Sequence, residues 1–154
     1  MGLNIGSEQH VVNLLVPTAN TAGVGTSDTF KMTNAGVVNI VVTTGTVTNA
    51  ATITVRECTA AAGTSATAIV FNYYNTATAD SDTFTALTAA TVGGISTGTT
   101  NNLTWVIPIH ASELTDGYDW INVHFTTAAA IAISAVAVLG DLRYASETNL
   151  TAIA

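Results

Sequence analysis

The stretch that decides the fold reads Leu103-Thr-Trp-Val-Ile-Pro-Ile-His110, then Tyr118-Asp-Trp-Ile-Asn-Val-His-Phe-Thr126, then Ile131-Ala-Ile-Ser-Ala-Val-Ala-Val-Leu139. Each segment is short, rich in β-branched and aromatic residues, and separated from the next by a polar turn or a small-residue corner. These features are typical of β-strands joined by tight connections. We therefore expect three consecutive strands here, with the preceding chain forming the other half of one β-structure.

The middle segment has two distinct faces, because successive side chains of a strand point to opposite sides. Its apolar side chains, Ile121, Val123 and Phe125, fall on one face, which we expect to be core. The opposite face is rich in large amphipathic groups: Tyr118, Trp120, Asn122 and His124.

The earlier part of the chain contains five further predicted strands, over residues 8–16, 28–33, 37–44, 50–58 and 68–75. We expect Pro17 to end the first of them, because proline has no N–H to donate to a ladder. The segment 37–44 is dense in β-branched residues and is expected in the centre of a sheet. Residues 18–27 and 93–102 are expected to be loops, whereas 83–92 fits either a strand or a short helix.

Short strands without a sustained helical period predict an all-β domain, a two-sheet β-sandwich of jelly-roll or Greek-key-like type. At most one or two short helical turns are expected, in a segment capped by Ser112 and stopped by Gly117. A chain of 154 residues has the size of a single domain. That domain is expected to span 1–154, with 1–7 as a flexible N-terminal arm and 145–154 as a C-terminal tail.

The composition excludes several classes of partner. Only 8% of the residues are charged, and three Lys plus Arg against ten Asp plus Glu give a net charge of −7. The three cations, Lys31, Arg56 and Arg143, cannot form the basic stripe that nucleic-acid binding requires, so we expect no nucleic-acid partner. No apolar stretch approaches the roughly 18 residues of a spanning helix, and no secretion signal is evident, so we expect no membrane partner and synthesis without export.

Candidate chemical groups are scattered. His10, His110 and His124 lie far apart in sequence without a further ligand at metal-binding spacing, and no Gly-x-Ser-x-Gly motif is present. Cys58 is alone, which excludes an intrachain disulfide and favours a small apolar side chain at a strand end over a reactive thiol. We predict no enzymatic activity, no cofactor and no metal.

Four aspartates offer a weaker alternative, because calcium binds carboxylate and carbonyl oxygens in flexible loops. They are Asp80, Asp82, Asp116 and Asp119. Their spacing fits no known calcium loop, and the preference of Asp for turns explains them better.

The two tryptophans differ in their setting. Trp105 alternates with Ile107 and Ile109 and is expected in the core. Trp120, with Tyr118 beside it, fits a subunit boundary, where Trp and Tyr are enriched. Stacking on a sugar ring and a second internal sheet contact remain alternatives for Trp120.

Three short motifs carry a resemblance to a known class of protein. They are Phe71-Asn-Tyr-Tyr-Asn-Thr-Ala-Thr78, Ile109-His-Ala-Ser-Glu-Leu-Thr-Asp-Gly-Tyr118, and Ala137-Val-Leu-Gly-Asp-Leu-Arg-Tyr-Ala145. Over about residues 37–145 the chain resembles small structural proteins of tailed bacteriophages, most of all the head decoration or capsid cement proteins.

That resemblance implies a β-rich virion protein that binds the outer surface of an icosahedral capsid, often as a trimer. The implied partners are the major capsid protein and further copies of the same chain, on a particle assembled in the host cytoplasm. The candidate subunit or capsid interface comprises Tyr118, Trp120, His124, Tyr74, Arg143 and Tyr144. A carbohydrate-binding β-sandwich and a tail or neck component of the same virion are the alternatives.

Overall fold

Two antiparallel sheets packed face to face make up the computed structural model, which describes residues 9–20, 23–142 and 153. Its strands are β1 (His10–Asn20), β2 (Gly23–Thr26), β3 (Phe30–Lys31), β4 (Val37–Val47), β5 (Ala51–Cys58), β6 (Thr67–Ala68), β7 (Phe71–Asn75), β8 (Thr88–Ala90), β9 (Ile95–Ser96), β10 (Thr104–His110), β11 (Trp120–Thr127) and β12 (Ile131–Gly140). Sheet A has the order β1-β12-β4-β10-β7-β8. Sheet B has the order β2-β11-β5-β6, with β3 also paired to β11 and β9 to β5.

The strand order is that of a jelly roll. The run β1-β12-β4-β10 in sheet A faces β2-β11-β5-β6 in sheet B, so the chain crosses repeatedly between the sheets. Eight strands connected in this way form the two Greek keys of a double-sheet jelly roll. The predicted β-sandwich is confirmed, and β7 and β8 extend sheet A beyond the eight-stranded frame.

The core lies between the sheets and consists of the inward side chains of both. Ile121, Val123 and Phe125 belong to it, as does Trp105, and each is at most 2% exposed. The faces assigned from sequence to the core are therefore confirmed. The largest fully buried side chains come from both layers: Phe30, Phe125, Leu14, Ile40, Ile53, Ile107, Ile109, Ile121, Ile131 and Ile133.

The first strand differs from its prediction, because β1 continues past Pro17 to Asn20. It lies at the edge of sheet A, and its pairing with β12 shifts register between Leu15 and Thr18. Proline is tolerated at an edge or in an irregular part of a ladder, where its missing N–H has no partner to lose. The expected loop over residues 18–27 is partly strand, because β1 continues to Asn20 and the whole of β2 lies within this range.

Other strand boundaries also differ from those predicted from the sequence. The single strand expected over 68–75 is two strands, β6 in sheet B and β7 in sheet A, and the chain crosses between the layers at Ile69 and Val70. The ambiguous segment 83–92 contains β8, and the loop 93–102 contains β9. A short helical turn is present as a 3₁₀ turn over Ala111–Glu113, but its N-cap is His110 and its C-cap is Leu114, so the expected cap at Ser112 and stop at Gly117 were wrong.

The expected arm over residues 1–7 and the expected tail over 145–154 lie outside the described residues, apart from residue 153. Across the part of the chain that is described, no helix is long and apolar enough to span a bilayer.

Candidate functional site

The residues predicted to form an interface are distributed over separate surfaces. Trp120 and His124 lie on the outer face of sheet B, and Tyr118 lies in the loop that leads into β11. Tyr74 is on the outer face of sheet A, 36% exposed. The two remaining predicted residues, Arg143 and Tyr144, lie outside the described residues.

Trp120 forms a half-buried corner at one end of sheet B. It is in register with Lys31 of β3 on one side and with Cys58 of β5 on the other. The Lys31 Nζ atom lies 5.5 Å from the centroid of the Trp120 ring, within the range of a cation–π interaction. Arg56 lies two residues before Cys58 on β5, in register with Asn122, so both described cations of the chain lie on this face of sheet B. We call Lys31, Arg56 and Trp120 the Trp120 corner.

Further along the same face of β11 the side chains are much less accessible than the sequence suggests. Asn122 is 2% exposed, and its amide Nδ2 donates to Cys58 Sγ at 3.3 Å. The loop between β5 and β6 covers it, because a Cβ built on Gly63 would lie 3.4 Å from Asn122 Nδ2. Asn122 Oδ1 is buried without a hydrogen-bond partner. The face expected to carry large accessible amphipathic groups therefore offers Trp120 but not Asn122.

His124 is similarly enclosed, with 9% of its surface exposed. The Thr54 hydroxyl lies 3.3 Å from His124 Nδ1 and donates to the His124 carbonyl oxygen at 3.2 Å. Burial lowers the pKa of His124, and the nearby Arg56 guanidinium lowers it further, so the neutral imidazole is favoured.

The free thiol of Cys58 is buried at the end of β5, as the sequence predicts for a small apolar side chain. Burial raises the pKa of Cys58; Arg56 opposes this effect and Glu57 adds to it. The thiol is the favoured form, which is the less reactive one.

A cavity of about 360 Å³ opens at the end of the sandwich next to the Trp120 corner. Its lining includes the apolar residues Met32 and Leu114 and three exposed aspartates, Asp116, Asp119 and Asp141. We call these three aspartates the acidic rim. The rim adjoins the corner directly, because the Met32 N–H donates to the Asp119 carbonyl oxygen at 2.8 Å while Lys31 pairs with Trp120.

The four aspartates considered for calcium occupy different ends of the sandwich. Asp80 and Asp82 follow β7, where Asp80 Oδ2 accepts from Asn102 Nδ2 at 3.3 Å, whereas Asp116 and Asp119 follow β10. Among the described residues, no three His, Cys, Asp or Glu side chains are placed to hold a metal ion.

The outer face of sheet A carries uncharged side chains across several adjacent strands. Val41 at its centre is in register with Val136 of β12 and Val106 of β10, and Val106 is in register with Tyr74 of β7. This row crosses four adjacent strands without a charged residue. The neighbouring row joins Val11, Val138, Asn39 and Pro108.

We call this surface the valine face. Its outward residues are Val11 and Asn13 of β1, Val37, Asn39, Val41 and Thr43 of β4, Tyr74 of β7, Thr104, Val106, Pro108 and His110 of β10, and Ala132, Ser134, Val136 and Val138 of β12. None of them is an Asp, Glu, Lys or Arg, in a chain with a net charge of −7. The outer face of an antiparallel sheet is commonly polar when it contacts only water, so this composition indicates a contact surface.

Its size is adequate for a stable contact. The strands β1, β12, β4, β10 and β7 lie about 4.8 Å apart, and the outward residues of β4 span about 20 Å, which together give roughly 500 Å². A specific interface buries at least about 1,000 Å² in total, or about 500 Å² on each partner.

Comparison with known proteins gives a weak structural likeness. No protein-family model and no curated protein sequence matches the chain. Among solved structures, the SPBc2 prophage-derived protein YomS is similar at 11% sequence identity, with a TM-score of 0.44 over 84% of this chain and 94% of that one. A likeness at this level does not indicate a function.

Sequence reasoning identified Tyr74 but missed the remainder of the valine face. The missed signal lies in β4, β10 and β12, whose outward positions are occupied by Val, Thr, Ala and Pro rather than by charged residues. A strand with apolar residues at both odd and even positions has two apolar faces. Three adjacent strands of this kind predict that the outer face of their sheet is covered as well as the inner one.

Proposed function

We propose that this protein is a non-enzymatic structural protein of a tailed-bacteriophage virion, which binds the outside of the capsid and reinforces it as a decoration or cement protein. The observation that carries the proposal is the valine face, a broad uncharged surface on a strongly acidic chain. The resemblance of residues 37–145 to phage head proteins supports the same function. We propose a homo-oligomer, with a trimer as the implied form, on the capsid surface.

The valine face suits permanent contact with a protein shell for an energetic reason. Burying a charged group is far more costly than burying a hydroxyl or amide that finds a partner, and burying valine is favourable. The exposed acids of the chain, such as Asp82 and Asp116, lie in loops away from this face. Docking through the valine face therefore leaves the charged groups in solvent.

Binding to capsids that lack the protein tests this proposal. We expect saturable binding, a copy number comparable with that of the major capsid protein, and greater resistance of the bound capsid to heat. A protein absent from purified particles, or one that does not bind such capsids, would contradict the proposal.

One substitution tests the valine face itself. Val41→Lys places a charge at its centre, and we expect at least about tenfold weaker capsid binding because the ammonium group would be desolvated without a partner. Val24→Lys is the matched control, since Val24 is 69% exposed on β2 of the other sheet. Equal binding by the two variants would exclude the valine face as the docking surface.

The alternatives give different results in the same experiments. A tail or neck component would be present in only a handful of copies per particle. A carbohydrate-binding module would retain glycans and lose them on Trp120→Ala; the Lys31 ammonium over the Trp120 ring leaves less of that ring for stacking on a sugar.

A further inference from the structure

The charged groups near the end of the sandwich form two adjacent patches of opposite sign. The Trp120 corner contributes the cations Lys31 and Arg56, and the acidic rim contributes three carboxylates. In a chain with only 8% charged residues, this concentration of both signs at one end is unusual. In the part of the chain that the structure describes, neither Lys31 nor Arg56 is paired with a carboxylate.

The two patches point in different directions although they adjoin. Lys31 and Trp120 lie on the outer face of sheet B, and Asp116, Asp119 and Asp141 line the cavity that opens at the end of the sandwich. The ammonium group of Lys31 interacts with the Trp120 ring instead of with the rim. Among the described residues neither patch forms an ion pair, so each can meet a complementary patch on another molecule.

We infer that the Trp120 corner of one subunit binds the acidic rim of a second copy of this chain, and that this contact builds the homo-oligomer. The inference rests on the assembly function proposed above and names the surfaces through which copies associate. In this contact the Lys31 ammonium lies against the rim carboxylates, and Trp120 provides the apolar anchor beside the cavity that Met32 and Leu114 line. Trp and Arg are the residues most enriched where subunits bind strongly.

Charge complementarity identifies the occupant as a second copy. The corner requires an acidic partner and the rim requires a basic one, and one chain supplies both. Because the corner and the rim occupy one end of the sandwich while the valine face covers sheet A, subunits joined in this way keep their valine faces accessible. The contact is therefore compatible with docking on a shell.

A charge-exchange experiment tests this contact. The mass of the purified protein is measured against concentration by light scattering for the wild type, Lys31→Glu, Asp119→Lys and the double variant. We expect each single variant to raise the concentration of half-dissociation at least about tenfold, because each places like charges across the contact. The double variant restores opposite charges, and we expect it to dissociate within about threefold of the wild-type concentration.

Asp82→Lys provides the matched control. It makes the same charge change on an exposed aspartate at the opposite end of the sandwich, and we expect no change in dissociation. Circular dichroism of every variant establishes that the fold is retained. The dissociation of the wild type is also expected to be promoted by high salt.

Three results would overturn the inference: a wild-type protein that is monomeric at all concentrations, unaltered mass in Lys31→Glu, or a double variant no better associated than the single ones. Loss of capsid binding by Lys31→Glu with its oligomeric mass intact would assign the corner to the capsid instead, and also counts against it. Failure of the proposed function is a separate outcome, since it is read from capsid binding by the wild-type protein.

Discussion

Gly94 and Gly98 both have a positive φ, +80° and +64°, but only Gly94 lies against the neighbouring backbone. A Cβ on Gly94 would collide with the Ile53 carbonyl oxygen of β5, whereas a Cβ on Gly98 would meet nothing within 4 Å. We expect Gly98→Ala to lower the free energy of unfolding by about 1–2 kcal/mol through backbone strain alone. Gly94→Ala should lower it by more than about 3 kcal/mol, since a backbone atom cannot move aside easily.

Urea denaturation of the two glycine variants separates these effects. The difference between their free energies of unfolding isolates the collision, because the unfavourable φ is common to both. Equal destabilisation would show that the turn before β9 can shift away from β5.

His124 is expected to make stability depend on pH. Since burial and Arg56 lower its pKa in the folded state, the unfolded chain binds more protons at pH values between the folded pKa and the ordinary value of about 6.5. The contribution of His124 is therefore fully present above about pH 6.5 and is lost as the pH falls below it. His124→Gln, which cannot gain a proton, should show a smaller loss of stability between pH 7.5 and pH 5.

Urea denaturation of the wild type and of His124→Gln at these two pH values measures the difference. A wild-type pH dependence in His124→Gln would mean that other groups account for acid sensitivity.

Among the elements, the loop between β10 and β11 is attached to sheet B by a buried carboxylate. Glu57 Oε2 accepts from the Thr115 N–H at 2.8 Å, and Glu57 Oε1 accepts from the Thr115 hydroxyl at 2.7 Å. Glu57→Ala leaves the N–H without an acceptor and should lower the free energy of unfolding by about 1–3 kcal/mol. Glu57→Gln retains an acceptor and a donor and should cost about half as much or less.

Glu113→Ala is the control for this element. Its carboxylate accepts from the His110 N–H at 2.8 Å on the exposed side of the same loop, and water can replace it. Chemical denaturation should give a loss below about 1 kcal/mol. If Glu113→Ala lowered the free energy of unfolding as much as Glu57→Ala does, burial of the two Glu57 hydrogen bonds would make no extra contribution to stability.

The positions of most strands follow from local pattern, and their ends do not. The prediction of residues 37–44 as a central strand is confirmed, since β4 lies between β12 and β10. This position was predictable because the density of β-branched residues is a property of the segment itself. Pro17 was expected to end β1, and this was wrong because the effect of a proline depends on whether its strand is at an edge. Edge position is set by pairing with β12, more than 100 residues away along the chain.

Prediction of the candidate site was limited in the same way, because parts of it depend on pairing between distant segments. Trp120 was predictable as a special residue from its place opposite the core side chains of its strand. The valine face was not, because it exists only once β1, β12, β4, β10 and β7 are in register. The burial of Asn122 depends likewise on a loop packing over β11.

At the scale of the whole molecule, the two proposed contacts should be separable. Val41→Lys is expected to weaken capsid binding while leaving the oligomeric mass unchanged. Lys31→Glu is expected to lower the mass and to accelerate dissociation from capsids at least about tenfold, because a single subunit loses the benefit of linked binding sites. Dissociation rates from immobilised capsids, with Asp82→Lys as reference, measure both effects; a change of mass in Val41→Lys would show that the surfaces are not independent.

The order β1-β12-β4 has a consequence for biosynthesis. Strand β12 fits between β1 and β4, so sheet A remains in two pieces on the ribosome until residue 140 has emerged. Strand β1 must wait more than 100 residues for its partner β12, and long-range pairing of this kind folds slowly. In a nascent chain the edges of β1 and β4 are thus open to chaperones and proteases over this interval, and sheet A is joined in a single late step.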